Sequence, residues 1–340
     1  MRRPEGGWAA AAGRLAMAIP QRRLHASVLA WSEARPPSEG WGAAFSGGAD
    51  SLALLLLLWA LWPHRRARLR AFHFDHRLRG AESRADSSFC EGVCSALGVP
   101  LVVGSWERRG GPTDEASARE ARLGFLHRES GRRRIRSLWF GHQQDDVAES
   151  LLMRLARGSG LGGLAAPRPV QSMLEGRTHL RPLMPIKKAE LMEALAEAGI
   201  PWREDSSNGA GTYFRNRLRM NVIPKWIAAS GRDAVAGAAL SRERIEEDDT
   251  ALEAWVDHTF ALEKDGSLAL PPLVGLPKAV LRRALHRWLV EQPDAGRLSR
   301  AGFEILLDSI ERGTPQRQSL GPLGFAVIRK RRLRFERLRG

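Results

Sequence analysis

The sequence predicts an α/β fold: a doubly wound, Rossmann-like parallel sheet followed by a smaller helical domain that ends in a basic β-hairpin. Three observations carry this. Short apolar runs alternate with helical patterns of crossover length from Trp41 to about Gly158, which is what parallel strands require. The segments FSGGADS, FDHRLRG and GHQQDD all fall at the carboxyl ends of those runs. That is the edge at which open α/β sheets bind ligands. From about Trp226 the alternation stops and long helical patterns take over.

Taken in order, Leu24 to Trp31 is helical and leads into the linker ARPPSEGWG. WGAAFSG is a short buried strand and SLALLLLLWALW a buried helix. LRAFHFDH is a strand with Asp75 and His76 at its end, and AESRADSSFCEGVCSALG is a helix. VPLVVGSW, DEASAREARLGFLHRESG, IRSLWFGHQ and DDVAESLLMRLARG continue as strand, helix, strand and helix. A glycine-rich loop, GSGLGGL, precedes HLRPLMPI and the helix KKAELMEALAEAG. Helical patterns then run to about Gln292, SRAGFEILLDSIERG adds another, and GPLGFAVIRKRRLRFERL alternates as a hairpin does. The expected organisation is an N-terminal helical extension and linker over 1–38, a parallel-sheet domain over 39–228 and a helical domain with the basic hairpin over 229–340.

The chain has 340 residues, 53 Lys+Arg against 38 Asp+Glu, and a formal charge of +15. Such a balance attracts a polyanion, either nucleic acid or an acidic membrane surface; a generally arginine-rich composition is the plainer explanation. The longest apolar stretch, Leu52 to Trp62, is too short to cross a bilayer, so no membrane is expected. The first residues, MRRPEGGWAAAAGRLAMAIP, faintly resemble a secretory leader, but Arg14 interrupts their apolar part, and the expected compartment is the cytoplasm. The two cysteines, Cys90 and Cys94, lie four apart on a helical pattern. They form neither CxxC nor a four-ligand zinc set and are expected to pack in a core. In HFDH, His73 and Asp75 face away from Phe74 and His76, so no full set of metal ligands emerges.

A strand, a tight glycine turn and a helix N-terminus make an anion site. Gly47, Gly48 and Ala49 let backbone N–H groups approach oxyanions, and the helix dipole adds favourable potential. Ser46 and Ser51 add hydroxyls. Asp50 repels phosphate unless it holds a Mg²⁺ that bridges phosphate oxygens; it also suits a helix cap. Neither GxxxxGK[ST] nor GxGxxG is present.

SGGADS instead resembles the pyrophosphate loop of ATP pyrophosphatases, the PP-loop family. Five further blocks follow in order: FDHRLRGAESRADSSFCEGVCSALGVPL, EASAREARLGFL, GHQQDDVAESLLMRLARGSGLGGLAAPRP, RPLMPIKKAELMEALAEAGIPWREDSSN and FRNRLRMNVIP. Together they resemble the bacterial tRNA(Ile)-lysidine synthetases over about Leu24 to Pro224. The chain departs from that pattern at Val147, Ser150 and Leu123, where the family has Gln, Thr and Tyr.

The resemblance implies a ligase that modifies the wobble cytidine of tRNA(Ile) with a CAU anticodon. ATP adenylates the C2 oxygen and releases pyrophosphate; the ε-amine of free lysine attacks C2, AMP leaves, and the product is lysidine. ATP and Mg²⁺ are the implied cofactors, tRNA(Ile) and lysine the implied partners. On this basis Ser46, Gly47, Gly48, Ala49, Asp50 and Ser51 cradle pyrophosphate, with Asp50 on Mg²⁺, and Asp75 and His76 lie near the nucleoside. Arg119 and Arg122, one turn apart, are in reach of phosphate, with a solvated helix face the plainer reading, more so for Arg122. Asp145 and Asp146 open a helix, where acids also favour the dipole. With Glu149 one turn on they suit the lysine ammonium, Asp146 above all, and a carboxylate there would orient the amine and accept its proton. Arg215, Asn216 and Arg217 are implied to face substrate, Arg215 and Asn216 on tRNA and Arg217 against departing AMP or tRNA phosphate. Arg331, Arg332 and Arg334, in the densest basic segment, are expected on tRNA phosphate.

Three other readings remain open at the level of sequence. A tRNA cytidine thiolase would need a paired-cysteine motif, which Cys90 and Cys94 do not provide. A non-catalytic RNA binder on the same fold would bind RNA without consuming ATP, and an amide-forming ligase for a small metabolite would leave the charge unexplained.

Overall fold

The computed structural model describes residues 4–76, 81–106, 115–204, 214–292, 298–322 and 324–338. The RLRG segment after His76 and the loop 205–213 lie outside them. The chain divides into two compact units, Met1–Arg244 and Ile245–Gly340.

The first unit opens with α1 (Gly7–Ala18) and α2 (Ala26–Glu33). There follow β1 (Trp41–Ala44), α3 (Ala49–Leu61), β2 (Leu69–Asp75), α4 (Ala81–Leu97), β3 (Leu101–Ser105), α5 (Glu115–Arg132), β4 (Ser137–Trp139) and α6 (Gln144–Leu155). Then come α7 (Leu161–Leu164), β5 (Val170–Ser172), β6 (Thr178–Leu180), α8 (Lys188–Glu197), α9 (Phe214–Arg217), a π-helical turn over Leu218–Val222 and α10 (Ile223–Ser230). The six strands stand in the order β3-β2-β1-β4-β6-β5. All neighbours pair in parallel except β5, which runs antiparallel to β6. The doubly wound parallel sheet is therefore as the sequence predicts, with one antiparallel edge strand added.

Helix α3 is apolar on every side, and Leu52 to Leu58 are all buried. Such a helix cannot sit at a surface. It packs in one continuous core with Trp8 and Leu15 of α1, Val93 and Cys94 of α4, Leu191 and Leu195 of α8, and Trp41 and Ala43 of β1. The other face of the sheet is covered by α5 through Phe125 and Leu126, against Phe72 and Leu138. Gly42 in β1 turns to that second face, where an added Cβ would lie 2.8 Å from the Phe72 ring and 2.9 Å from Leu138. Segment 7–18, expected as part of an extension, contributes directly to the main core. Arg14, which breaks its apolar pattern, donates to Ala198 O at the carboxyl end of α8 at 2.8 and 3.2 Å. A guanidinium on terminal helix carbonyls is favourable.

The second unit begins within α11 (Ala234–Thr259) and contains β7 (Leu268–Ala269), α12 (Lys278–Val290), α13 (Arg300–Arg312), β8 (Gln316–Ser319), β9 (Gly324–Arg329) and β10 (Arg332–Arg337). Its antiparallel sheet has the order β7-β10-β9-β8. Its own core is built on Val280, Leu285 and Trp288 of α12 and Leu306 and Ile310 of α13. The predicted basic hairpin is β9–β10, closed by the two-residue turn Lys330–Arg331. Both turn residues have positive φ, 50° and 57°, as a type I′ hairpin turn demands. No helix among the described residues is long and apolar enough to cross a membrane.

Candidate active site

From β1 the chain winds outward through β2 and β3, then crosses back to place β4 on the other side of β1. The switch point therefore lies between the carboxyl ends of β1 and β4, the position where open sheets of this kind bind ligands. FSGGADS follows β1 and GHQQDD follows β4. The two segments touch: a Cβ on Gly141 would lie 2.6 Å from the backbone oxygen of Asp50. Gly141→Ala is expected to push the glycine turn off the β4 loop and to destabilise the fold by about 1–3 kcal/mol, as overpacking does. Thermal unfolding of the variant checks it.

The glycine turn is held by its serines. Ser51 Oγ accepts from Ser46 N–H at 3.1 Å and donates to Gly48 O at 3.0 Å, so Ser46 Oγ donates to Ser51 Oγ at 3.0 Å. Gly47 has φ +88°, and a Cβ there would press on Cys90 and Phe89 at 3.2 and 3.3 Å. Arg203 N–H donates to Gly47 O at 3.0 Å. Gly48 is the N-cap of α3 and offers no side-chain cap, so the first-turn amides point outward as donors.

Asp50 sits in that first turn. Its Oδ1 is buried with no hydrogen-bond partner. Burial, then the charges of Asp146 and Asp145, push its carboxyl up to about 6 against the pull of Lys188 and Arg219. Among the described residues no three acids, histidines or cysteines group as a metal site. Mg²⁺ needs less from the protein: one or two carboxylates, with substrate phosphates and water completing the shell. The orphaned Asp50 oxygen beside phosphate-directed amides fits such an ion.

The N-cap of α6 is Gln143. Its Oε1 accepts from Asp145 N–H at 2.5 Å, while Asp146 Oδ2 accepts from Gln143 N–H at 3.1 Å, closing a capping box. Asp145 Oδ2 accepts from the backbone N–H of Lys188, 2.9 Å away, at the start of α8. Asp146 Oδ1 accepts from Arg215 at 2.6 Å. Glu149, fully buried, accepts from Arg215 at 2.6 Å and from Arg219 at 2.6 and 3.1 Å. Arg215 and Arg219 thus reach the same acids from α9 and the π-helical turn. Pro224 has no N–H, and the ladder before it shifts to a five-residue bond, Ile223 N–H to Leu218 O.

Around the acids stand further arginines and a histidine. Arg122 is the more buried member of the α5 pair. Its guanidinium is pushed down to about 10 by burial and by Arg119 and Arg215, and its Nε lacks a partner. This corrects the expectation that Arg122, more than Arg119, lies on a solvated face: Arg119 is exposed. His142 is held well below the usual histidine range by burial and by Arg181 and Arg215, and so is neutral. Asp75 and His76 end β2, both half-buried, with His76 edge-on to Phe74 at 4.9 Å. Asn216 is buried and Arg217 exposed over the Phe214 ring at 5.8 Å.

The first unit thus brings together the glycine turn, Asp50, Asp145, Asp146, Glu149, Arg122 and Arg215. Sequence reasoning missed Gln143, His142, Arg181 and Arg219. Arg219 carried a signal, being four residues from Arg215 on a helical stretch; Gln143 did too, as a Gln-x-x-Asp capping box. In the second unit, Arg331 is exposed in the hairpin turn, and Arg332 and Arg334 are half-exposed on β10, Arg332 at 3.6 Å from Glu263. Cys90 and Cys94 are buried and unbridged, and burial pushes both thiols up, Cys94 to about 12.

Comparison with known proteins agrees with this geometry. The PP-loop domain family model matches residues 21–226. A tRNA(Ile)-lysidine synthase of Solibacter usitatus is 36% identical over 248 residues, 71% of this chain and 54% of that protein. That of Pseudomonas aeruginosa is 35% identical over 317 residues, 88% and 69%. That of Gloeobacter violaceus is 33% identical over 255 residues, 75% and 78%. The chain spans about half the length of the Solibacter protein. Among solved structures, the U34-tRNA thiolase NcsA of Methanococcus maripaludis superposes with a TM-score of 0.54 at 16% identity, over 70% of this chain and 78% of that one, a likeness of fold. A PP-loop match over most of the chain, together with relatives at a third identity that it covers well, makes this chain a member of the tRNA(Ile)-lysidine synthase family of PP-loop proteins.

Proposed function

We propose that the protein ligates lysine to C2 of the wobble cytidine of tRNA(Ile) with a CAU anticodon, through an adenylated cytidine, giving lysidine, AMP and pyrophosphate. The observation that carries this reading is the meeting, at one sheet switch point, of an uncapped glycine turn with an acid cluster that already holds cations. The names of the relatives supply the substrate. Family members that keep sulfur chemistry need exposed thiols, and the two cysteines here are buried core residues.

The first-turn amides of α3 bind the phosphate oxygens of ATP, and Ser46, whose N–H and hydroxyl both donate to Ser51, holds the turn that presents them. Asp50 holds Mg²⁺, which neutralises phosphate charge when bound. Asp75, His76 and Arg119 flank the nucleotide, and Arg122 stands near Asp146 as a half-buried cation toward the reacting phosphate. Asp145, Asp146 and Glu149 form the lysine site. Asp146 and Glu149 are cation acceptors already occupied by Arg215 and Arg219, and Asp145 brings a third carboxylate beside them. The ammonium therefore enters at the Asp145–Asp146 pair, and Glu149 acts chiefly by fixing the two arginines. Arg217 is exposed next to this cluster, on the helical turn that carries Arg215 and Asn216, and is assigned to the departing AMP. The hairpin residues Arg331, Arg332 and Arg334 contact tRNA phosphate. We assign the protein to the cytoplasm, with its tRNA.

Labelled lysine supplied with ATP, Mg²⁺ and a tRNA(Ile) CAU transcript tests the reading. Label is expected on that transcript, and none without ATP or on a methionine tRNA with the same anticodon. Pyrophosphate release that depends on tRNA, without lysine transfer, would retain the adenylating loop and discard lysine as donor.

A further inference from the structure

The opposite edge of the main sheet carries a second constellation. The residues that lead into β1, β2, β4 and β6 line two adjoining open basins of about 250 and 230 Å³, which share Ser38 and Arg134. Arg35, Arg68, Arg70, Arg133, Arg134 and Arg136 line them, against a single acid, Glu39. Neighbouring arginines are neutralised locally: Arg132 and Arg133 by Glu129, Arg177 by Glu175. Arg68, Arg70, Arg134 and Arg136 make no side-chain hydrogen bond or ion pair among the described residues. Four guanidiniums without an ion-pair partner among the described residues thus face open concave surface, with Glu39 the one acid in the lining.

Arg134 closes helix α5: it adopts φ 56° where its N–H donates to Gly131 O at 3.0 Å and Ile135 N–H donates to Ser130 O at 2.9 Å, the helix end at which a left-handed residue is usual. The basin wall is also fixed in advance. Buried Arg65 donates to the carbonyls of Pro36 at 2.9 Å, Arg35 at 2.6 Å and Ser32 at 3.2 Å, pinning the linker that forms the rim. Its guanidinium lies over the Trp41 ring at 4.5 Å. None of the exposed large apolar side chains belongs to the lining, whereas a lipid-binding face would present them. Unpaired arginines in a pre-ordered concavity suit phosphodiester oxygens, which accept paired N–H donors.

We propose that the amino edge of the sheet is a second RNA-backbone surface, which holds tRNA phosphates at a place separate from the edge that binds ATP. The identity of the RNA rests on the function proposed above; the surface itself rests on the arginines. Two variants test it in the full chain: Arg68→Ala/Arg70→Ala/Arg136→Ala and Arg134→Gly. Binding of a tRNA(Ile) transcript is measured between about 50 and 200 mM salt. The triple variant is expected to bind at least about tenfold more weakly, with the slope of log affinity against log salt reduced by about 2. ATP binding is expected to be unchanged. Arg134→Gly is expected to bind about threefold more weakly while unfolding at an equal or higher temperature, because glycine suits this helix end, so the lost affinity is separated from any loss of fold.

Unchanged tRNA affinity and salt slope in both variants would overturn the proposal, as would a parent chain that binds no RNA. Loss of binding to anionic lipid vesicles with tRNA binding intact would overturn it in favour of a membrane. If the parent transfers no lysine yet binds tRNA through these arginines, the surface stands and the proposed reaction fails. Lysine transfer with arginine-independent tRNA binding would keep the reaction and overturn the surface.

Discussion

Asp50→Asn is expected to lose turnover by about 10²–10³-fold or more, to keep its tRNA affinity, and yet to fold more stably than the parent. The three effects share one cause. The carboxyl lies in the first turn of α3 with a buried, unpartnered oxygen and with Asp146 nearby, and its folded value is about 6 against 3.8 for the free group. Above the folded value the native state holds a charge that the unfolded chain hydrates better. Stability from this group is therefore full below about pH 4, declines as pH rises from there to about 6, and stays low at higher pH. The shift corresponds to at most about 3 kcal/mol at neutral pH. Asparagine keeps the shape and removes the charge, so the variant is expected to lack that slope. Urea unfolding at pH 5 and pH 7.5, with metal chelated, measures it. The parent should be the less stable protein at pH 7.5, and the gap should narrow at pH 5. Mg²⁺ with ATP is expected to stabilise the parent and not the variant. A variant less stable than the parent at neutral pH would mean that the carboxylate holds the loop rather than awaiting a ligand.

Much of this site was legible in the sequence because its determinants are local. The strand–glycine–helix order of FSGGADS fixes a turn and an uncapped N-terminus by itself, and the alternation from Trp41 onward sets a parallel sheet whose carboxyl ends converge. The rest depends on partners far along the chain. That Asp146 is at once a cap and an ion-pair partner follows from Gln143 on one side and Arg215 on the other, the latter 69 residues from it. Asp145 spans to α8, 43 residues away, and no periodicity records that. Arg119 and Arg122 look alike in sequence, and only the packing of α5 on the sheet separates the exposed one from the more buried one. Strands β5 and β6 have three residues each, too few for a period of two to register. The place of helix α1 in the main core is hidden for a different reason: four consecutive alanines and a lone arginine give little amphipathic signal, although Trp8 and Leu15 are buried.

Glu149→Gln is expected to be the most damaging single change in the acid cluster, both to stability and to turnover. The comparison that fixes its size is with ion pairs at the surface. Lys278 and Asp308 stand 2.7 Å apart, but both are nearly half exposed, and such pairs contribute about 0–1 kcal/mol. Glu149 is buried, and its two oxygens accept three bonds from two guanidiniums. Glutamine can offer one oxygen, and its amide N–H groups then face Arg215 and Arg219, donors against donors. Breaking a buried pair from one side leaves the other charge uncompensated, which costs about 3–5 kcal/mol. Released arginines would also turn on Asp146, whose Oδ1 already binds Arg215, and close the acid that the lysine ammonium needs. The expected result is a large fall in unfolding temperature together with a raised KM for lysine, whereas Asp308→Asn should change neither. Glu149→Asp retains the charge on a shorter stem and should recover part of the stability. A Glu149→Gln protein as stable as the parent, with lysine KM unchanged, would show that the arginines are held by other means and that this carboxylate does not organise the site.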